Sequence, residues 1–88
     1  MYVILVYDVN VKRVNKVHKL LKQYLHWTQN STFEGEINIG VLNDLKRKIN
    51  SIIRKDEDAI VIYKLQSDYY LEKENIGLDK SDLTSSII

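Results

Sequence analysis

Asp8 is the first acidic residue of the chain, and it stands directly after the apolar run Tyr2-Val3-Ile4-Leu5-Val6-Tyr7. A carboxylate is a hard oxygen donor suited to a divalent cation, and a rigid strand that ends on one presents it well for chemistry. A basic helical pattern follows at once, with Lys12, Arg13, Lys16, Lys19 and Lys22 and no acid among them. Lys12, Lys16 and Lys19 fall at i, i+4 and i+7 and form one stripe, which suits phosphates. Like charges so placed repel by a few tenths of a kcal/mol per pair, more than solubility alone requires. Acids at strand ends also serve as turn and cap residues, and a lysine stripe is often only a solvated face. Residue type alone leaves both readings open.

The elements that hold these groups follow from periodicity. Tyr2 to Tyr7 does not alternate with polar residues, as expected of a strand covered on both faces. Val11 to Leu25 has a helical period, with Val14, Val17, Leu21 and Tyr24 or Leu25 on one face and Asn10 placed to cap it. Trp27 to Glu34 reads as the second strand, Glu34-Gly35-Glu36 as a tight turn and Ile37 to Val41 as the third strand. Leu42 to Ile53 is helical in period, and Ala59 to Tyr63 is another unbroken apolar strand. This order predicts an α+β, ferredoxin-like βαββαβ fold with an antiparallel sheet and both helices on one face.

Residues 1–66 form that core in this reading, and residues 67–88 form a C-terminal extension. The extension carries a further strand around Tyr69-Tyr70-Leu71 and Ile76 and ends on Ile87-Ile88, so it is expected to add to a neighbouring sheet edge, that of its own chain or of a partner subunit. A homodimer is expected for a second reason: the first and fourth strands are apolar on both sides while the helices cover one. The same topology predicts that Asp8, Glu34, Glu36, Asp56 and Asp58 share one end of the sheet, near the start of the basic helix.

Composition narrows the function classes. A chain of 88 residues is one small domain that buries only about 60–65% of its unfolded surface. It has no cysteine, which removes disulfides, thiolate chemistry and thiol-rich zinc sites. The apolar runs are far shorter than the roughly 18 residues of a membrane span, and no cleavage signal follows the first, so a soluble, cytoplasmic protein with no membrane partner is expected. Up to Lys55 there are ten Lys/Arg against four acids, whereas from Asp56 onward there are three against eight. The basic part suits phosphates; the acidic part, with Glu72, Glu74, Asp79 and Asp82, suits a basic protein surface.

Four stretches together resemble the small CRISPR-associated protein that accompanies the integrase during spacer acquisition, the CRISPR-associated endoribonuclease family. They are YVILVYDV with Arg13 and Lys16 after it, Tyr24, Gln29 to Gly35, and Asp58 to Leu65, in order over nearly the whole chain. Leu25 and Thr32 stand where the family usually has glycine and valine. The resemblance implies a ferredoxin-like homodimer, a final strand that crosses to the partner, and one Asp from each subunit around a divalent metal. Asp8 is the matching position, implied as catalytic and metal-binding with Mg2+ or Mn2+ as cofactor. Members act as metal-dependent endonucleases on RNA or double-stranded DNA, or as non-catalytic bridges between integrase dimers. In the first role, Arg13 or Lys16 offsets transition-state charge and Tyr7, Ser31 and Phe33 support the site. In the second, Lys12, Arg13, Lys16 and Lys19 hold nucleic acid by its phosphates, and the partners are a second copy and the integrase subunit.

Rival classes fit less well. An RNA-recognition module stacks bases on aromatics of its first and third strands, and Ile37 to Val41 contains none. A non-catalytic regulatory ferredoxin-like domain is expected to carry a glycine loop after its first strand, where Gly35, Gly40 and Gly77 do not lie. A toxin-type ribonuclease is related by fold analogy alone. His18 and His26 are eight residues apart, too far for a one-turn metal pair, and read as structural. Trp27 reads as a core or interface anchor.

Overall fold

The computed structural model describes residues 1–66 and 70–79. Its elements are β1 (Tyr2–Asp8), α1 (Val11–Lys22), β2 (His26–Gln29), β3 (Thr32–Glu36), α2 (Ile39–Ile52), β4 (Ala59–Gln66) and β5 (Tyr70–Gly77). The strands form one sheet in the order β2-β3-β1-β4-β5, antiparallel at every junction. The first four strands and two helices give the expected ferredoxin-like α+β arrangement, with β5 added beyond β4.

Alternation along β1 explains its unbroken apolar run. Val3, Leu5 and Tyr7 face the helices and join Phe33, Ile60, Ile62, Val17, Leu21, Leu42, Leu45 and Ile49 in the core. Ile4 and Val6 point to the opposite face, where Val6, Ala59 and Val61 are also buried. That second face opens toward the start of β1: Tyr2 pairs with Leu65 and Leu65 with Leu71, an exposed apolar row across three strands.

The hairpin lies one step earlier than the sequence suggests. The stretch from Trp27 to Glu34 is not one strand, because Asn30 turns the chain with φ 46° and separates β2 from β3. Asparagine tolerates that left-handed conformation, and the Trp27 indole N–H donates to the Asn30 carbonyl across the turn at 2.9 Å. Gly35 lies inside β3 rather than in a turn, next to the Leu25 side chain. Ile37 to Val41 is not a strand either. The Asn38 side chain accepts the Val41 N–H at 2.8 Å and caps α2, which therefore starts at Ile39 rather than Leu42. α1 ends at Lys22, short of Leu25.

The described part of the extension pairs within its own chain, with Ala59 opposite Gly77 and Gln66 opposite Tyr70. Ile76 enters the core, and Glu74 receives both Lys46 of α2 and Lys64 of β4. Glu74 is thus an internal counter-ion and not a free acid for a partner. Tyr69, Asp82, Ile87 and Ile88 lie outside the described residues. No helix among the described residues is long and apolar enough to cross a membrane.

The core residues are packed without exposure, so truncation leaves a cavity. Leu45→Ala should cost about 2–5 kcal/mol in denaturant unfolding, whereas Val11→Ala, at a position 81% exposed, should stay within about 0.5 kcal/mol. Equal effects would contradict this assignment of the core.

Candidate metal and nucleic-acid site at the end of the first strand

Asp8 is the last residue of β1, paired with Ala59, and it is exposed. Two other connections converge on the same end of the sheet. The Tyr7 amide donates to the Ser31 carbonyl at 3.0 Å, bringing the β2–β3 turn alongside. The α2–β4 connection arrives at Asp58, next to the partner of Asp8.

Asp58 holds these pieces together. Its carboxylate is fully buried and accepts from Arg13 Nε at 2.7 Å, Arg13 Nη2 at 3.1 Å, the Asn10 amide at 2.9 Å and the Arg54 amide at 2.9 Å. Glu57 takes a further bond from Arg13 Nη2 at 3.0 Å. Burial alone would push the Asp58 carboxyl up, but the Arg13 guanidinium and the Arg54 and Asn10 amides outweigh it and hold it down at about 2. Arg13 is correspondingly pushed up by its bonds to Asp58 and Glu57. In sequence Asp58 reads as one acid among several; its place as the last acid of Asp56-Glu57-Asp58, directly before a buried strand, with an arginine in the first turn of α1, is the signal that points to a buried pair.

The four expected nucleic-acid contacts divide. Lys12, Lys16 and Lys19 are exposed, and none of them makes an ion pair among the described residues. Arg13 points inward to Asp58 and Glu57, with its side chain 16% exposed. Cations in the first turn of a helix oppose its dipole, an effect Asp58 offsets for Arg13 but not for Lys12. The supporting trio divides as well. Tyr7 and Phe33 are buried on the helix face of the sheet, away from the face that Val6 and Asp8 share, and only Ser31 stays half-exposed at the strand end. Burial pushes the Tyr7 hydroxyl up, partly offset by the Ser31 side chain, and His18 Nδ1 lies 3.2 Å from it. His18 also packs edge-on against Phe33 and Trp27, which makes it structural as expected. Trp27 itself is 55% exposed and is not a core residue.

The five-acid cluster does not form. Tyr2 pairs with Glu36 and Ile4 with Glu34, so both glutamates lie toward the start of β1, the end opposite Asp8. The shifted hairpin is the cause: with the turn at Asn30, β3 runs away from Asp8 instead of toward it. Among the described residues no group of three acidic or histidine side chains could hold a metal within one chain. Moving β3 also places Phe33 on the third strand, but it is buried and offers no surface for base stacking.

The geometry has close counterparts. The family model described as CRISPR associated protein Cas2 matches residues 1–73. This chain belongs to the Cas2 family. It is 47% identical to the CRISPR-associated endoribonuclease Cas2 of Thermococcus kodakarensis over 87 residues, covering 99% of this chain and 100% of that protein. A solved Cas2 crystal structure superposes with a TM-score of 0.73 at 48% identity, covering 92% of this chain and 91% of that one. The Streptococcus pyogenes Cas2 crystal structure at pH 6.5 gives 0.69 at 33% identity, covering 78% and 90%.

In this Cas2 family member the Asp58 pair gives stability a definite pH dependence. The folded-state carboxyl sits at about 2, below its ordinary 3.8, so its contribution is full above about pH 4 and is lost as pH falls toward 2. Asp58→Asn should flatten the fall of the unfolding midpoint over that window. A variant curve parallel to wild type would contradict the assignment.

Proposed function

We propose that this protein is a dimeric nucleic-acid-binding component of CRISPR adaptation that bridges an integrase subunit to its substrate and hydrolyses phosphodiesters with a divalent metal. The observation that carries the reading is an exposed carboxylate, Asp8, at the end of β1, followed within three residues by the start of α1, on which Lys12, Lys16 and Lys19 are exposed. Names of relatives, CRISPR-associated endoribonuclease Cas2, support the nuclease part.

Asp8 suits Mg2+ or Mn2+, since these cations take one or two carboxylates and fill their other positions with water and substrate phosphate. One chain supplies half of such a site, and a two-fold axis supplies the rest. The exposed row Tyr2, Leu65 and Leu71, on the face without helices, supports association of two copies. When bound, the metal supplies a Lewis acid for a phosphoryl oxygen and acidifies its water. Asp8 orients that ion, and Lys12, Lys16 and Lys19 bind flanking phosphates without reading bases. Lys16 offsets charge at the phosphate, because Arg13 is engaged with Asp58. No residue among those described is assigned as a general base, so slow turnover follows. The acidic extension meets the integrase in this reading.

The test is cleavage of labelled single-stranded RNA and double-stranded DNA, with Mg2+, Mn2+ or chelator, alongside duplex binding. Asp8→Ala should abolish cleavage and leave binding intact; metal-independent cutting, or equal cutting by the variant, would sink the nuclease assignment. Replacing Lys12, Lys16 and Lys19 by alanine should reduce the magnitude of the log K against log salt slope by up to about 3 per protomer, and an unchanged slope would remove the stripe from the interface.

A further inference from the structure

Asp58 reaches a fourth partner through its backbone. Its carbonyl accepts the Leu78 N–H at 2.9 Å, immediately after β5 ends. Gly77 makes this approach possible: its φ is +87°, and a Cβ there would lie 2.1 Å from the Asp58 carbonyl oxygen. Both the backbone angle and the missing Cβ therefore demand glycine. One residue thus ties the start of α1 through Asn10 and Arg13, the α2–β4 connection through Arg54, and the end of the C-terminal strand through Leu78. Asn10 lies two residues beyond Asp8, so the backbone that aims Asp8 is anchored on the same carboxylate.

We propose that Asp58 is a positioning residue for Asp8 and that docking of Gly77–Leu78 on Asp58 couples the C-terminal strand to the metal site. The inference rests on the metal reading above and extends it to a residue pair that touches neither metal nor nucleic acid. A group bonded directly to a metal ligand typically changes affinity by about 10–100-fold when lost; Asp58 acts one step further out, through the Asn10 amide, so the lower end of that range is expected.

The test uses the full chain with Mn2+ as probe. Mn2+ binding is read from loss of the free-ion paramagnetic resonance signal, and amide hydrogen exchange is read at Asn10 and Leu78. Gly77→Ala should weaken Mn2+ binding about tenfold and speed exchange at both amides together. Asp8→Asn should abolish Mn2+ binding and leave both amides protected. Asp58→Asn, which keeps an acceptor oxygen for Asn10 but loses the charge facing Arg13, should act in the same direction as Gly77→Ala and decides the matter if the glycine variant does not fold. Wild-type Mn2+ affinity in the folded Gly77 and Asp58 variants, or faster exchange at Leu78 alone, would overturn the coupling. If wild type binds no Mn2+, the metal reading falls, and exchange alone judges the anchor: joint loss of protection at Asn10 and Leu78 upholds it, and loss at Leu78 alone overturns it.

Discussion

The buried carboxylate of Asp58 is the constraint on which the Asp8 end of this fold depends. Burying an ionised group costs several kcal/mol unless its lone pairs are satisfied, and removing one partner leaves that cost uncompensated. Here the Arg13 guanidinium and the Asn10 and Arg54 amides meet the carboxylate, each within 3.1 Å. Those donors come from two separate connections, so the requirement to satisfy one charge fixes both crossovers of the βαββαβ fold at the same end of the sheet. The exposed carboxylate of Asp8 then stands two residues before a backbone amide, that of Asn10, tied to the same charge.

That constraint also divides the cations of α1. A helix turning 100° per residue cannot present Arg13 on the same line as Lys12, Lys16 and Lys19. Arg13 becomes part of the interior scaffold while the lysines stay in solvent, where a phosphate backbone can reach them without breaking an ion pair among the described residues. A planar, bidentate guanidinium suits the buried partner and compact ammonium groups suit the exposed ones.

Much of this was legible in the residues. The unbroken apolar runs of β1 and β4, the helical spacing of Val17, Leu21, Leu45 and Ile49, and Asn10 as a cap led to the right architecture. Glycine outranks asparagine as a turn signal and points to Glu34–Glu36, yet Asn30 supplies the positive φ and Gly35 sits inside β3. Ile37, Ile39 and Val41 alternate like a strand, but the Asn38 cap begins a helix there. A turn moved by a few residues reversed the direction in which β3 carries Glu34 and Glu36, and with it the expected acidic cluster. The roles of Arg13 and Asp58 depend on a contact between residues 45 apart, which periodicity does not encode.

The most direct measurement is anomalous scattering from crystals of the dimer grown with Mn2+. One Mn2+ is expected between the two Asp8 side chains of the dimer, with Asp58 still holding Arg13 behind it. A well-ordered dimer with the two Asp8 side chains far apart, or Mn2+ bound only elsewhere, would contradict it.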